Sequence, residues 1–436
     1  YFQKNQMYSK ALSLFIRAAY ALSGLAVTFV MARHLSIDTF AYFNSLAAGI
    51  AVIMPVLAMG GGPLLIRMGV SKRKNLSQRL GRIQKLYLFI LAPGVVISTL
   101  TFQHYENAKA FLLIWLNLCL FFYSEMFRSH QRYTTSFIFG NGAASTSTTV
   151  QGLASITLLL ATTFLVGEIG TTDELLNILL LVSLLPFLAM VCNSLRIKTW
   201  RGQLNLRWVR TYFKIGIPFA LTGLAFALIA VQELIYLTVY HSNTHVAEYS
   251  LIIRTTSITL VIFTILSTFA QPIFLSAVKR IDVTTNIAKI RILSLTALAL
   301  CCGSTIMLIT NGPEAICYFG GENYCKIDRS LIAIRSLGLL AYISVGFASG
   351  LLLVVPTGAN SALNCSLVAI VVFWIFVFIL PLEGPYKASI AFSSSYFVYG
   401  ILLAVQLKKK TKYSFFITNN LFGLLNAKKN SNRRPS

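Results

Sequence analysis

Long apolar runs separated by short polar gaps occupy nearly the whole of this 436-residue chain. A helix needs about 20 apolar residues to cross a hydrocarbon layer of roughly 30 Å, and twelve such segments with their connectors nearly exhaust the length. The predicted spans are roughly 11–33, 39–66, 86–102, 110–127, 143–166, 175–195, 215–240, 249–277, 292–310, 330–353, 361–380 and 388–406. The fifth is the weakest, because Gly140 to Gly152 is rich in Gly, Ser, Thr and Asn, residues that face a neighbouring helix or a wet interior rather than lipid. The pattern predicts an all-α polytopic membrane protein with no room for a separate soluble domain.

Charge then orients the chain. Most of the 37 Lys and Arg residues fall in the even-numbered gaps and the two tails, as in Ser71-Lys72-Arg73-Lys74 and the stretch Arg196 to Lys214. Asp282 is the single one of the 13 acidic residues in an even gap; Glu125 and Glu233 lie inside spans, and the rest occupy the odd gaps, as in Glu168, Asp173 and Glu174. Basic residues flanking helices stay on the cytoplasmic side, so both termini are predicted inside and the odd gaps outside. Only 11% of residues are charged and 56% are hydrophobic, against about 25% charged in a soluble domain. A net charge of +24 would suggest nucleic acid in a soluble protein. Spread over loops on one side of a membrane it serves topology and holds anionic lipid headgroups instead.

Halving the chain yields six helices per half and a faint repeat: His34 precedes Tyr42 by eight residues, and His241 precedes Tyr249 by eight. That predicts an N-terminal lobe over 1–205, a C-terminal lobe over 206–407 related by a parallel pseudo-two-fold axis, and a basic cytoplasmic tail over 408–436. Two breaker groups mark candidate bends, Gly60-Gly61-Gly62-Pro63 near the inner end of the second span and Gly216-Ile217-Pro218 opening the seventh.

Function must lie in the few ionisable groups at membrane depth: Arg17, Arg67, Glu233, Arg254 and Arg335. A charge near the bilayer centre costs at least about 2.5 kcal/mol, so it faces a partner or a cavity. Arg17 and Arg67 read either as snorkelling anchors or as cavity residues. Glu233 and Arg254 lie on successive antiparallel helices and could meet, either as a structural ion pair or with Arg254 holding an anion while Glu233 balances or titrates. Arg335 reads as structural. Arg suits phosphate, since its planar fork donates two parallel charge-assisted hydrogen bonds. Cys317 and Cys325 share an external gap spanning Asn311 to Arg329 and could form a disulfide in an oxidising compartment; the other five cysteines read as packing residues. No metal-ligand spacing, catalytic constellation or phosphate-binding loop is visible. The five histidines, all in or beside gaps, read as solvated.

Several segments resemble a known family: Met31-Ala32-Arg33-His34-Leu35 followed by Phe40-Ala41-Tyr42, Gly60 to Arg67, Gly216-Ile217-Pro218, Glu248-Tyr249-Ser250-Leu251 leading to Arg254, and Leu380-Pro381-Leu382-Glu383-Gly384-Pro385. In order and spacing they are similar to the Wzx-type polysaccharide flippases of the multidrug/oligosaccharidyl-lipid/polysaccharide (MOP) exporter superfamily. Ala41 stands where that family has Gly, and Lys387-Ala388-Ser389 departs from its Gly-rich start of the last helix. The resemblance implies a fold of two six-helix lobes around a cavity. It also implies transport of undecaprenyl-pyrophosphate-linked oligosaccharide from the inner to the outer leaflet of the bacterial inner membrane. Arg254 and Arg67 match basic positions of the family's motifs. The expected substrate-binding residues are therefore Arg17, Arg67 and Arg254, with Glu233 a candidate for coupling to an H⁺ or Na⁺ gradient. No cofactor, metal or nucleic acid is expected; the partners are membrane lipids, the lipid-linked oligosaccharide, and a polymerase and chain-length regulator. The rivals are a cationic-drug exporter of the same superfamily, which should carry more intramembrane carboxylates than Arg, and a polymerase or ligase, which needs a sizeable catalytic external loop.

Overall fold

The computed structural model describes residues 24–57, 171–180, 205–278, 283–353 and 357–414, with the single positions 22, 82, 109, 112, 184 and 355. The chain divides into two compact units, Tyr1–Leu224 and Ala225–Ser436. The helices are α1 (Ile37–Leu57), α2 (Leu206–Tyr240), α3 (Asn243–Val278), α4 (Val283–Gly320), α5 (Arg329–Ile343), α6 (Ala348–Leu353), α7 (Gly358–Ile379) and α8 (Gly384–Thr411). Residues 24–34 and 172–180 are helical as well, and no strand occurs among the described residues. Among the described residues, five helical stretches, Leu206–Tyr240, Asn243–Ser267, Val283–Gly320, Gly358–Ile379 and Gly384–Thr411, are long and apolar enough to cross a membrane.

In the first unit a two-residue break, Leu35–Ser36, separates the helix over 24–34 from α1. Ser36 makes the stop and the restart possible: its Oγ accepts from the Thr39 N–H at 3.2 Å, capping α1. An ion pair joins Lys109 to Asp173. The second unit repeats the local device, with His241–Ser242 as the break between α2 and α3.

Helices in the second unit run well past the apolar windows that mark them. α4 spans 38 residues, about 57 Å at 1.5 Å per residue. Its buried stripe, Ile290, Ser294, Ala297, Cys301, Thr305, Leu308, Gly312, Ile316 and Gly320, holds a three-to-four-residue step throughout. Packing of that stripe carries the helix through Pro313, so the expected gap of Asn311 to Arg329 shrinks to the segment after Gly320. α3 likewise begins six residues before the predicted span. Gly216-Ile217-Pro218 does not open a helix; α2 passes through it with Pro218 inside. The predicted span 330–353 is two helices, α5 and the six-residue α6, because Gly346 takes φ 75°. The break is pinned by the Tyr342 hydroxyl, which donates to Ser349 Oγ at 2.7 Å.

α8 is the centre of this unit. It packs on α5, α6 and α7 and buries residues on most of its circumference, among them Ala388, Phe392, Ser395, Tyr396, Tyr399 and Leu403. Tyr342 and Tyr399 stack with centroids 5.8 Å apart, and Tyr396 meets Tyr342 edge-on at 5.4 Å. The α5–α8 approach depends on Gly338: a Cβ there would lie 2.5 Å from the Ser393 Cα, a backbone atom that cannot rotate away. Gly338→Val is expected to cost about 1–3 kcal/mol through overpacking and to lower the thermal unfolding temperature of the micelle-solubilised protein. A variant with an unchanged melt would show that the two helices are not in contact.

Candidate functional site

The second unit holds a buried ion pair. Glu233 of α2 and Arg335 of α5 have side chains 0% and 2% exposed, and Arg335 Nε donates to Oε2 at 2.9 Å and to Oε1 at 3.2 Å. Arg335 Nη1 donates to Thr256 Oγ1 of α3, and the guanidinium carbon sits 4.4 Å from the Phe392 ring centroid of α8. The Tyr249 hydroxyl meets Ser389 Oγ at 2.8 Å and also faces the Glu233 carboxylate. One residue along α2, Gln232 Nε2 donates to Ser395 Oγ at 3.1 Å. Four helices thus meet at one charge pair. Each ion has lost its water, and the hydroxyls and the ring face replace it.

Equal depth explains the pairing. Glu233 lies seven residues before the end of α2 and Arg335 six residues after the start of α5, about 10 and 9 Å from their helix ends. The expected meeting of Glu233 with Arg254 is corrected. With α3 starting at Asn243, Arg254 lies about 16 Å along the helix. It is also about 140° round the helix from Tyr249, the residue that faces Glu233. Arg254 is exposed, on another side of α3. The reading of Arg335 as structural fits its burial, while Tyr249, Thr256 and Phe392 gave no signal in the sequence as its surroundings. Arg17 and Arg67, like the Gly60 to Pro63 break, lie outside the described residues.

Cys317 and Cys325 are joined in a disulfide, Cα to Cα 4.3 Å, which closes the turn between α4 and α5. At the same end Asp328 caps α5 by accepting from Ser330 N at 2.8 Å and accepts from the Tyr386 hydroxyl. Those contacts, the Tyr386 hydroxyl first, hold its carboxyl below the ordinary 3.8. His241 is not simply solvated: its Nε2 lies 3.0 Å from the Tyr236 hydroxyl, and burial, then His245 and Lys387, hold the ring below the ordinary imidazole value. Among the described residues no group of three His, Cys, Asp or Glu side chains could hold a metal ion.

The chain matches no protein-family model and no curated protein sequence. Solved structures do match. An outward-facing multidrug resistance MATE family transporter of the MOP superfamily aligns over 93% of this chain and 95% of its own, with TM-score 0.63 at 15% identity. The lipid II flippase MurJ in an inward closed conformation aligns over 97% and 90%, with TM-score 0.61 at 16% identity. A MATE transporter of Vibrio cholerae aligns over 93% and 96%, with TM-score 0.62 at 16% identity. The chain therefore has the all-helical fold shared by MOP-superfamily transporters.

Removing one partner of a buried pair leaves the other charge stranded. Glu233→Ala and Arg335→Ala are each expected to cost about 3–5 kcal/mol in unfolding experiments in micelles, and the double Glu233→Leu, Arg335→Met variant less than either. Additive losses would show that the two groups do not interact. Asp328 follows the carboxylate sign: its contribution is present above pH 3.8 and is lost as pH falls through the lower folded value. Asp328→Ala is expected to lower stability at pH 7 by about 0.5–2 kcal/mol, the cost of losing a helix N-cap, and to flatten the acid limb of the stability profile. An acid limb that matches the parent's would exclude Asp328 as its source.

Proposed function

We propose that this chain is a Wzx-type flippase that carries undecaprenyl-pyrophosphate-linked oligosaccharide repeat units from the cytoplasmic to the periplasmic leaflet. Its twelve spans form two six-helix lobes in the bacterial inner membrane, with both termini inside. A sugar diphosphate cannot cross hydrocarbon, because every hydroxyl and phosphate oxygen would lose its hydrogen-bonding partners. A wet cavity with Arg17, Arg67 and Arg254 replaces those partners, the polyprenyl tail stays in lipid, and rocking of the lobes changes the side of access.

One observation carries this reading. Glu233 is the single carboxylate in the buried core among the described residues, and Arg335 neutralises it. No unpaired core carboxylate is left there to hold a cationic drug, whereas the Arg residues named above favour an anion. The similarity to a lipid II flippase supports a lipid-linked substrate. The disulfide supports the orientation, since Cys317 and Cys325 occupy the side that the acidic gaps assign to the oxidising compartment. A second reading, a cation exporter, draws on the MATE neighbours, whose TM-scores of 0.62 and 0.63 are no lower than the flippase's 0.61.

Complementation of a flippase-null strain separates the two. The chain is expected to restore surface polysaccharide without changing resistance to ethidium, and Arg17→Ala and Arg254→Ala are each expected to abolish the polymer while the protein stays in the membrane. Surface polymer unchanged in both variants removes the cavity assignment, and ethidium resistance without polymer favours the exporter. Coupling to an H⁺ or Na⁺ gradient through Glu233 is the further step, and normal flipping by Glu233→Gln would dismiss it.

A further inference from the structure

At the disulfide-bearing end of the second unit lies a cavity of about 170 Å³, room for roughly six waters at about 30 Å³ each. Its walls come from the first turns of α3, the turn at 326–328, α5 and the first residues of α8. One aromatic group of its wall is fixed from behind: the Tyr386 hydroxyl donates to Asp328 and lies 2.9 Å from Ser330 Oγ. Buried Tyr249, tethered by Ser389, closes the floor. A ring locked in place before a ligand arrives loses little freedom on binding.

The carboxylates differ from the rings. Glu248 is half-buried in the wall, and among the described residues no hydrogen bond reaches its oxygens. Glu383 stands at the N-cap of α8 yet makes no capping bond. A half-buried carboxylate without a donor is a deficit that a ligand with N–H or O–H groups removes. His245 lies beside Glu248 in the same wall, and Glu248, Asp328 and Glu383 together still outweigh Lys326, so an acidic ligand is repelled. No three such groups here could hold a bare metal ion. The fitting ligand is organic, small, donor-rich, positively charged, and has one apolar face for Tyr386 and Pro385.

We propose that this cavity is a binding subsite for one amine-bearing sugar ring, with Glu248 accepting from the amine and the Tyr386 ring lying against the sugar's C–H face. The subsite uses none of the Arg residues assigned to the diphosphate, and its occupancy is measured without transport, so either assignment can fail while the other stands.

The test uses the full chain in phosphatidylcholine nanodiscs, titrated with glucosamine, glucose and glucuronate and read by saturation-transfer NMR and calorimetry. Glucosamine is expected to bind in the millimolar range, glucose several-fold more weakly, and glucuronate not at all. Glu248→Gln should weaken glucosamine roughly tenfold, about 1.4 kcal/mol, with an unchanged melting temperature. The exposed Glu383→Gln provides a second variant that does not disturb packing and should weaken it several-fold. The proposal is overturned if glucosamine does not bind, if both variants bind as the parent does, if glucuronate binds equally well, or if tetraphenylphosphonium binds where the sugars do not.

Discussion

A carboxylate cannot stay ionised in an apolar helical bundle without a partner, and the second unit is organised around satisfying that constraint. Arg335 answers Glu233, Thr256 and Phe392 answer Arg335, and Tyr249 links the pair to Ser389 on the central helix. The contacts come from four helices, with α3 and α8 each supplying two, so α2, α3, α5 and α8 have one relative arrangement in which these charges and hydroxyls are satisfied. In a bundle whose other contacts are largely apolar, and therefore tolerant of sliding, this polar node sets the register.

Small and aromatic residues then decide how closely the helices lie. Gly338 lets α5 touch the backbone of α8, and the Tyr342, Tyr396 and Tyr399 rings fill the space beyond. The break at Gly346 falls inside this packed region and is bridged by Tyr342 and Ser349. The interruption is thus held by side chains on both of its flanks.

The helical class was legible because hydropathy reports what lipid demands of a span. Helix ends were not, because a polar turn such as Val283-Thr284-Thr285-Asn286 continues a helix without adding to its apolar window. The six-residue error at the start of α3 is what misplaced Arg254: at about 1.5 Å per residue it puts the side chain about 9 Å farther from the helix end. Glu233 and Arg335 could have been matched by depth alone once the ends of α2 and α5 were known. The aromatic and hydroxyl surroundings of the pair, and the donor-poor Glu248, depend on which faces meet, and no single-chain pattern encodes that.

The length of α4 has a consequence of its own. At about 57 Å the helix is nearly twice the depth of a bilayer's oily layer, yet its apolar stretch is shorter. Leu300, Ile306 and Met307 face outward between Lys289 and Arg291 at one end and Asn311 and Glu314 at the other. Those 19 residues from Ile292 to Thr310 rise about 28 Å, close to the depth of the oily layer, so the charged flanks fix two waterlines. The turns beyond them carry the same rod into water on both sides, where its ends are free to meet the connecting segments outside the lipid.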